Sequence, residues 1–86
     1  MSPRPAPGSV LMWEVRAAEG RLDELVEAVR QRADPAAQLF RSAEPDERVV
    51  VIDPTHRGVP DLPPELVARP PHEWVFDTVG RDESPV

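Results

Sequence analysis

The two histidines are the residues best equipped for chemistry in this chain of 86 residues. His56 follows the most apolar segment, in Asp53-Pro54-Thr55-His56-Arg57-Gly58, where a loop after a strand often presents functional groups. A histidine near a carboxylate can act as a general base near neutral pH. His56 and His72 are therefore the candidate catalytic residues. Such residues are more often plain polar surface side chains, and no recognised catalytic constellation surrounds them.

A metal site is the second chemistry to consider. His56 and His72, with Asp53 or Glu73, would supply the two histidines and one carboxylate that bind iron in some enzymes. No His-Glu-x-x-His spacing supports that arrangement. We expect separate surface residues, no metal and no cofactor.

Four further residues are candidate ligand contacts: Trp13, Trp74, Glu14 and Arg16. The two indole rings could stack on a planar ligand and shield it from water, although core or dimer packing also accounts for them. Glu14 and Arg16 alternate with Trp13 and so share the other side of its strand. They could orient a carboxylate or an enolate there, or simply be solvated.

Composition removes several functions. Sixteen acidic residues against ten basic ones give a formal charge of −6, which opposes binding to nucleic acid or to an anionic membrane. All ten basic residues are Arg, and Lys, Asn, Tyr and Cys are absent, so a Schiff base, a disulfide and a thiolate metal site are excluded. The chain also has no phosphate-binding glycine loop and no nucleophile elbow.

The segment Arg48-Val49-Val50-Val51-Ile52-Asp53 organises the elements that must position these residues. Four consecutive β-branched apolar residues predict a strand, with Val49 and Val51 on one side and Val50 and Ile52 on the other. Both sides need cover from water. The chain offers one cover, a helix over residues 21–33 in which Leu22, Leu25, Val26 and Val29 form an apolar stripe.

The other elements follow from alternation and from proline. We predict strands at residues 10–17, 37–42 and 72–80, and at most a turn or two of helix within 62–68, because the whole segment 54–71 is rich in proline. Residues 1–9 form a Pro-rich leader that does not have the character of a signal peptide, and residues 81–86 form a polar tail. A single domain over 10–80 remains, and a cytoplasmic location is the default expectation.

This order of elements is typical of an α+β, ferredoxin-like βαββ(α)β fold with a four-stranded antiparallel sheet and a shortened second helix. Residues 10–80 also resemble the dimeric α/β-barrel families typified by the antibiotic biosynthesis monooxygenase-like proteins. The resemblance lies in the first strand, the turn Ala18-Glu19-Gly20 and the helix that begins Arg21-Leu22-Asp23-Glu24-Leu25. It implies a homodimer in which two sheets face each other around a cavity, which would supply the second cover.

Two classes of function fit these observations, and the sequence leaves open whether the chain is an enzyme. In the first, a cavity at the sheet face binds or transforms a hydrophobic or aromatic small molecule, as a cofactor-free monooxygenase, cyclase or isomerase would. In the second, the chain is a non-enzymatic accessory or interaction module. The two tryptophans and the partly charged sheet face favour the first class, whereas the absence of Asn, Tyr and an acid–base constellation favours the second.

Overall fold

A computed structural model describes residues 8–79, which form one helix and a four-stranded sheet. The elements are β1 (Ser9–Arg16), α1 (Leu22–Arg32), β2 (Gln38–Ser42), β3 (Arg48–Asp53) and β4 (His72–Asp77), with a single 3₁₀ turn at Pro64–Leu66. Each predicted element is present. The first strand starts at Ser9, inside the predicted leader; the rest of that leader up to residue 7, residue 80 and the tail lie outside the described residues.

The sheet is antiparallel throughout, and its strand order is β2-β3-β1-β4. The two most apolar strands, β1 and β3, are therefore its central pair. This α+β arrangement of one helix on a four-stranded antiparallel sheet is compatible with a ferredoxin-like fold.

The core lies between α1 and one side of the sheet, here called the covered face. Trp13 and Val15 of β1 and Val51 of β3 are at most 2% exposed, and Leu25 and Val29 of α1 meet them with no exposure at all. Acidic residues in the first turn of α1 and arginines in its last turn have the signs that stabilise the helix dipole. Burial of these side chains is the main source of stability in so short a chain.

In place of the predicted short second helix, the proline-rich segment forms only the 3₁₀ turn Pro64–Leu66, because its prolines cannot sustain helical hydrogen bonds. Leu66 and Val59 of that segment are buried against the core. No helix among residues 8–79 covers β4, and all six of its residues are exposed, including Val75 at 58% on the covered-face side. The edge strand is thus open on both sides.

The opposite side of the sheet, here called the open face, has no layer over it within residues 8–79. Cross-strand register places seven apolar side chains on it: Val10, Met12, Phe40, Val50, Ile52, Trp74 and Phe76. Phe40, Trp74 and Phe76 are between 43% and 53% exposed. Within residues 8–79, α1 thus covers only one side of the valine-rich strand. No helix in this part of the protein has the length and apolar character needed to cross a membrane.

Candidate functional site

The six candidate residues occupy three separate places. Glu14 and Arg16 of β1 lie on the open face, and so do His72 and Trp74 of the adjacent strand β4, where Glu14 is directly opposite His72. Trp13 is on the covered face. His56 lies beyond the far end of β1. The open face near the end of β1 thus brings together four of the six candidates.

A break in strand pairing opens a pocket at this place. Glu14 pairs with His72, so an uninterrupted ladder would place Ala17 opposite Arg69. Ala17 instead pairs with Val67, so that two extra residues are accommodated on the β4 side, at Arg69-Pro70-Pro71. Neither proline has an N–H to donate to β1. The bulge is therefore a direct consequence of the Pro-Pro pair.

Backbone hydrogen bonds fix both sides of the bulge. Ala68 donates its N–H to the carbonyl of Arg16 at 2.9 Å, and Ala18 donates to the carbonyl of Leu66 at 2.8 Å. Pairing resumes at His72. The chain between these anchors is pushed away from β1, which leaves a cleft between the two strands.

The pocket has a volume of about 200 Å³ and is open to solvent. The charged residues and the histidine that line it are Arg16, Arg48, Arg69, Glu14 and His72. Pockets for drug-sized ligands span roughly 300–1,000 Å³. This pocket therefore has room for a polar head group and not for a large cofactor.

Ion pairs organise one side of the pocket. Arg48 donates to the carboxylate of Glu14 through one nitrogen and to Asp46 at 3.0 Å through another, and Arg16 reaches the same Asp46 oxygen at 3.3 Å. These groups are partly buried, so their attraction is less screened than that of a fully exposed pair. Asp46 sits in the loop before β3 and joins arginines from two neighbouring strands.

Arg69 differs from the other two arginines of the pocket. It is exposed, and it pairs with no carboxylate among residues 8–79. It belongs to the bulge and is one of the residues that line the pocket.

His72 connects the pocket to the apolar part of the open face. Its ring lies against Trp74, with ring centroids 5.8 Å apart and planes inclined by 55°. Trp74 is 43% exposed and is paired with Met12 across the strands. Within the described residues, no hydrogen bond joins His72 to Glu14, whose carboxylate is held by Arg48, so the two do not form an acid–base pair in this structure.

His56 lies at the other end of β1 from the pocket. It contacts Ser9, and the five-residue step from Ser9 to Glu14 spans about 17 Å at a rise of about 3.3 Å per residue. Its Nε2 lies 3.0 Å from the Ser9 hydroxyl and 3.2 Å from the Ser9 carbonyl oxygen, and its backbone has a positive φ of 63°. This histidine ties the loop after β3 to the start of β1. It makes no contact with the pocket.

Asp53 organises that loop. Its side chain is fully buried and accepts hydrogen bonds from the Thr55 N–H at 2.8 Å, the Thr55 hydroxyl at 2.6 Å and the Gly58 N–H at 2.9 Å. Burial acts to raise the pKa of this carboxyl, but the hydrogen bonds from Thr55 and Gly58 outweigh it and hold the pKa below its ordinary value. Asp53 is thus an anionic anchor of the fold.

Two arrangements considered from the sequence do not occur. Trp13 is 1% exposed under α1, whereas Trp74 points from the other side of the sheet, so the tryptophans cannot line one pocket. Strand alternation causes this separation, because Trp13 is paired with Glu73 and not with Trp74. The two histidines are also too far apart to share a metal ion, and no cluster of three potential ligands occurs in residues 8–79.

Comparisons with known proteins add no identification. No protein-family model, no curated protein and no solved structure matches this chain. The structure is compatible with a ferredoxin-like fold, and none of these comparisons supports the dimeric α/β-barrel families in particular.

Sequence reasoning did not identify Arg48, Asp46 and Arg69 as members of the site. Arg48 is the first residue of the valine-rich strand, and alternation places its side chain on the same face of the sheet as that of Val50. The signal for Arg69 is its position directly before Pro70-Pro71, since two adjacent prolines interrupt pairing in a strand. The two-residue offset that forms the bulge depends on where pairing resumes, which the local sequence does not specify.

Proposed function

We propose that this protein is a homodimer whose open sheet faces enclose a binding site for a hydrophobic or aromatic small molecule. One observation carries the proposal: a continuous apolar strip on the open face ends at a polar pocket lined by arginines and His72. Binding sites for small molecules characteristically combine apolar walls with a few fixed polar groups. The dimer and the ligand are both part of the proposal.

A second copy of the chain is the occupant that best matches the open face. A domain of this length buries only about 60% of its unfolded surface and gains much from association. A two-fold dimer uses the same patch on both copies, so one apolar face satisfies both partners. Side chains such as Phe40 and Phe76, half exposed in one chain, would then be covered.

The proposal concerns binding first, and chemistry second. His72 is the residue placed to move a proton, because it borders both the pocket and Trp74. Arg16 and Arg48 would orient a carbonyl or an enolate oxygen beside it. A cofactor-free monooxygenase, cyclase or isomerase step is the reaction class that such groups could support.

The dimer is tested with a charge at the centre of the open face. Met12 lies between Ile52 and Trp74 and is only partly buried, so Met12→Glu should leave the monomer folded and drive the dimer apart. Gln31→Glu on the exposed side of α1 adds the same charge and is the matched control. Sedimentation velocity over a range of concentrations reads out the assembly.

We expect a dimer for the natural chain and for Gln31→Glu, and a monomer for Met12→Glu with an unchanged circular dichroism spectrum. A natural chain that stays monomeric at high concentration would refute the proposal. So would a Met12→Glu variant that dimerises as strongly as the natural chain.

A second candidate function, a protein-interaction module, is favoured by the exposure of β4 on both sides. Its outer edge has no neighbouring strand within residues 8–79, and such an edge can pair with a strand of another protein. Tryptophan fluorescence separates the two functions. Small aromatic compounds should quench Trp74 emission in the first case and leave it unchanged in the second, and Trp74→Phe identifies the signal.

A further inference from the structure

We propose that the pocket at the Arg69-Pro70-Pro71 bulge binds a single carboxylate, and that the ligand of this protein is therefore an apolar or aromatic carboxylic acid. This inference rests on the small-molecule function proposed above and specifies its ligand class. The carboxylate would sit between Arg69 and the Arg16 side of the pocket. The apolar body would lie toward Trp74.

The net charge of the pocket favours a ligand with a single negative charge. The pocket and its ion pairs contain three guanidinium groups, from Arg16, Arg48 and Arg69, and two carboxylates, from Glu14 and Asp46. One positive charge is left over when the histidine is neutral. The whole chain carries a formal charge of −6, so this pocket is cationic within an acidic protein. One carboxylate balances the excess, whereas a phosphate dianion would exceed it.

The availability of Arg69 is the second argument. Asp46 and Glu14 accept hydrogen bonds from Arg48 and so fix the position of its guanidinium. Arg69 pairs with no carboxylate of the described residues, and its guanidinium can offer two parallel N–H groups to a carboxylate. The backbone of Arg69 is held beside β1, because Ala68 before it is hydrogen-bonded to Arg16 and His72 after it is paired with Glu14.

The direction of the ligand follows from the neighbours of His72. Its ring is in contact with Trp74, and Trp74 with Met12 continues into the apolar strip of the open face. A pocket of about 200 Å³ takes the head group alone, so the rest of a ligand must extend over that strip. A ligand charged at one end and apolar at the other matches both surfaces.

The probes are benzoate, benzyl alcohol and inorganic phosphate, each titrated into the full-length protein while tryptophan fluorescence is recorded. Benzyl alcohol has the same ring without the charge, and phosphate has charge without an apolar body. We expect benzoate to bind at least about tenfold more tightly than benzyl alcohol, the ratio given by a charge-assisted hydrogen bond to a partly buried site. Affinity for benzoate should fall as salt is added.

Two variants locate the site. Arg69→Gln should weaken benzoate binding by about tenfold and leave benzyl alcohol unaffected; Arg30→Gln on the exposed side of α1 is the matched control. Deletion of Pro70 and Pro71 should also abolish the preference for benzoate. It leaves the pairs Ala17–Val67 and Glu14–His72 in one continuous register, so the sheet should survive without its bulge.

The outcomes separate this inference from the proposal on which it rests. Equal affinity for benzoate and benzyl alcohol, unchanged in Arg69→Gln, would overturn the carboxylate site and leave a small-molecule site standing. Tighter binding of phosphate than of benzoate would also overturn it. If neither aromatic probe quenches fluorescence, both proposals are wrong.

Discussion

The buried Asp53 allows a prediction with a defined size. We consider Asp53→Asn, which keeps the shape of the side chain and removes its charge. The carboxylate accepts from Thr55 twice on one oxygen and from the Gly58 N–H on the other. An amide has one oxygen and one NH₂ group, so the Asn side chain can accept from only one of these two sides.

The loss of stability in Asp53→Asn depends on which hydrogen-bond donors keep an acceptor. If the amide oxygen faces Thr55, its nitrogen faces the Gly58 N–H, and a buried donor is left without an acceptor at a cost of about 1–3 kcal/mol. The two bonds that remain lose their charge assistance, which removes roughly another 1 kcal/mol in total. We therefore expect Asp53→Asn to lower the free energy of unfolding by about 2–4 kcal/mol near neutral pH.

The stabilisation by the Asp53 carboxylate should depend on pH. Because the pKa of Asp53 is lower in the folded protein than its value of about 3.9 in an unfolded chain, its stabilisation is complete above about pH 5. It is lost as pH falls through the folded pKa, since protonation then occurs in both states. The difference in stability between the natural protein and Asp53→Asn should therefore shrink as the solution is made more acidic than pH 4.

Urea unfolding monitored by circular dichroism, at pH 7 and at steps down to pH 3, measures both effects. Asp61→Asn is the matched control: Asp61 is exposed in the proline-rich segment that follows Asp53, and the only hydrogen bond to it within residues 8–79 is accepted by its backbone carbonyl, from Arg32. The control should change stability by less than about 0.5 kcal/mol. Equal stabilities for the two variants, or a gap that is constant with pH, would refute the role assigned to Asp53.

Two further predictions concern the core and the pocket wall. Leu25→Asp places a carboxylate at a position with no exposure. The cost of several kcal/mol is a large part of a total stability of about 5–15 kcal/mol, so the helical circular dichroism signal should be lost. The control Gln31→Asp should keep that signal. A folded Leu25→Asp protein would contradict the packing of α1. In a double-mutant cycle, Arg48→Gln and Glu14→Gln should show a coupling of about 1 kcal/mol that decreases in high salt, and additive effects would mean that this ion pair does not stabilise the pocket wall.

The sequence alone determined the secondary structure and the sidedness of the sheet. Alternation assigns Trp13 and Val15 to the core side of β1, and the stripe containing Leu25 assigns the matching side of α1. In the valine-rich strand, alternation separates Val49 and Val51 from Val50 and Ile52, and the register with β1 decides which pair is covered. These are local properties, set by the periods of a strand and a helix. The weak second helix was also predictable, since proline acts within its own segment.

Tertiary structure decided which polar residues meet. Register between β1 and β4 places His72 opposite Glu14 and separates Trp13 from Trp74 by the thickness of the sheet. The bulge allows Arg69 and Arg16 to line one pocket, and the loop before β3 brings Asp46 to both arginines of the ion-pair network. Apart from the local Asp46–Arg48 pair, these contacts join residues far apart in the chain. They depend on how the strands pair, which no local pattern of residues encodes.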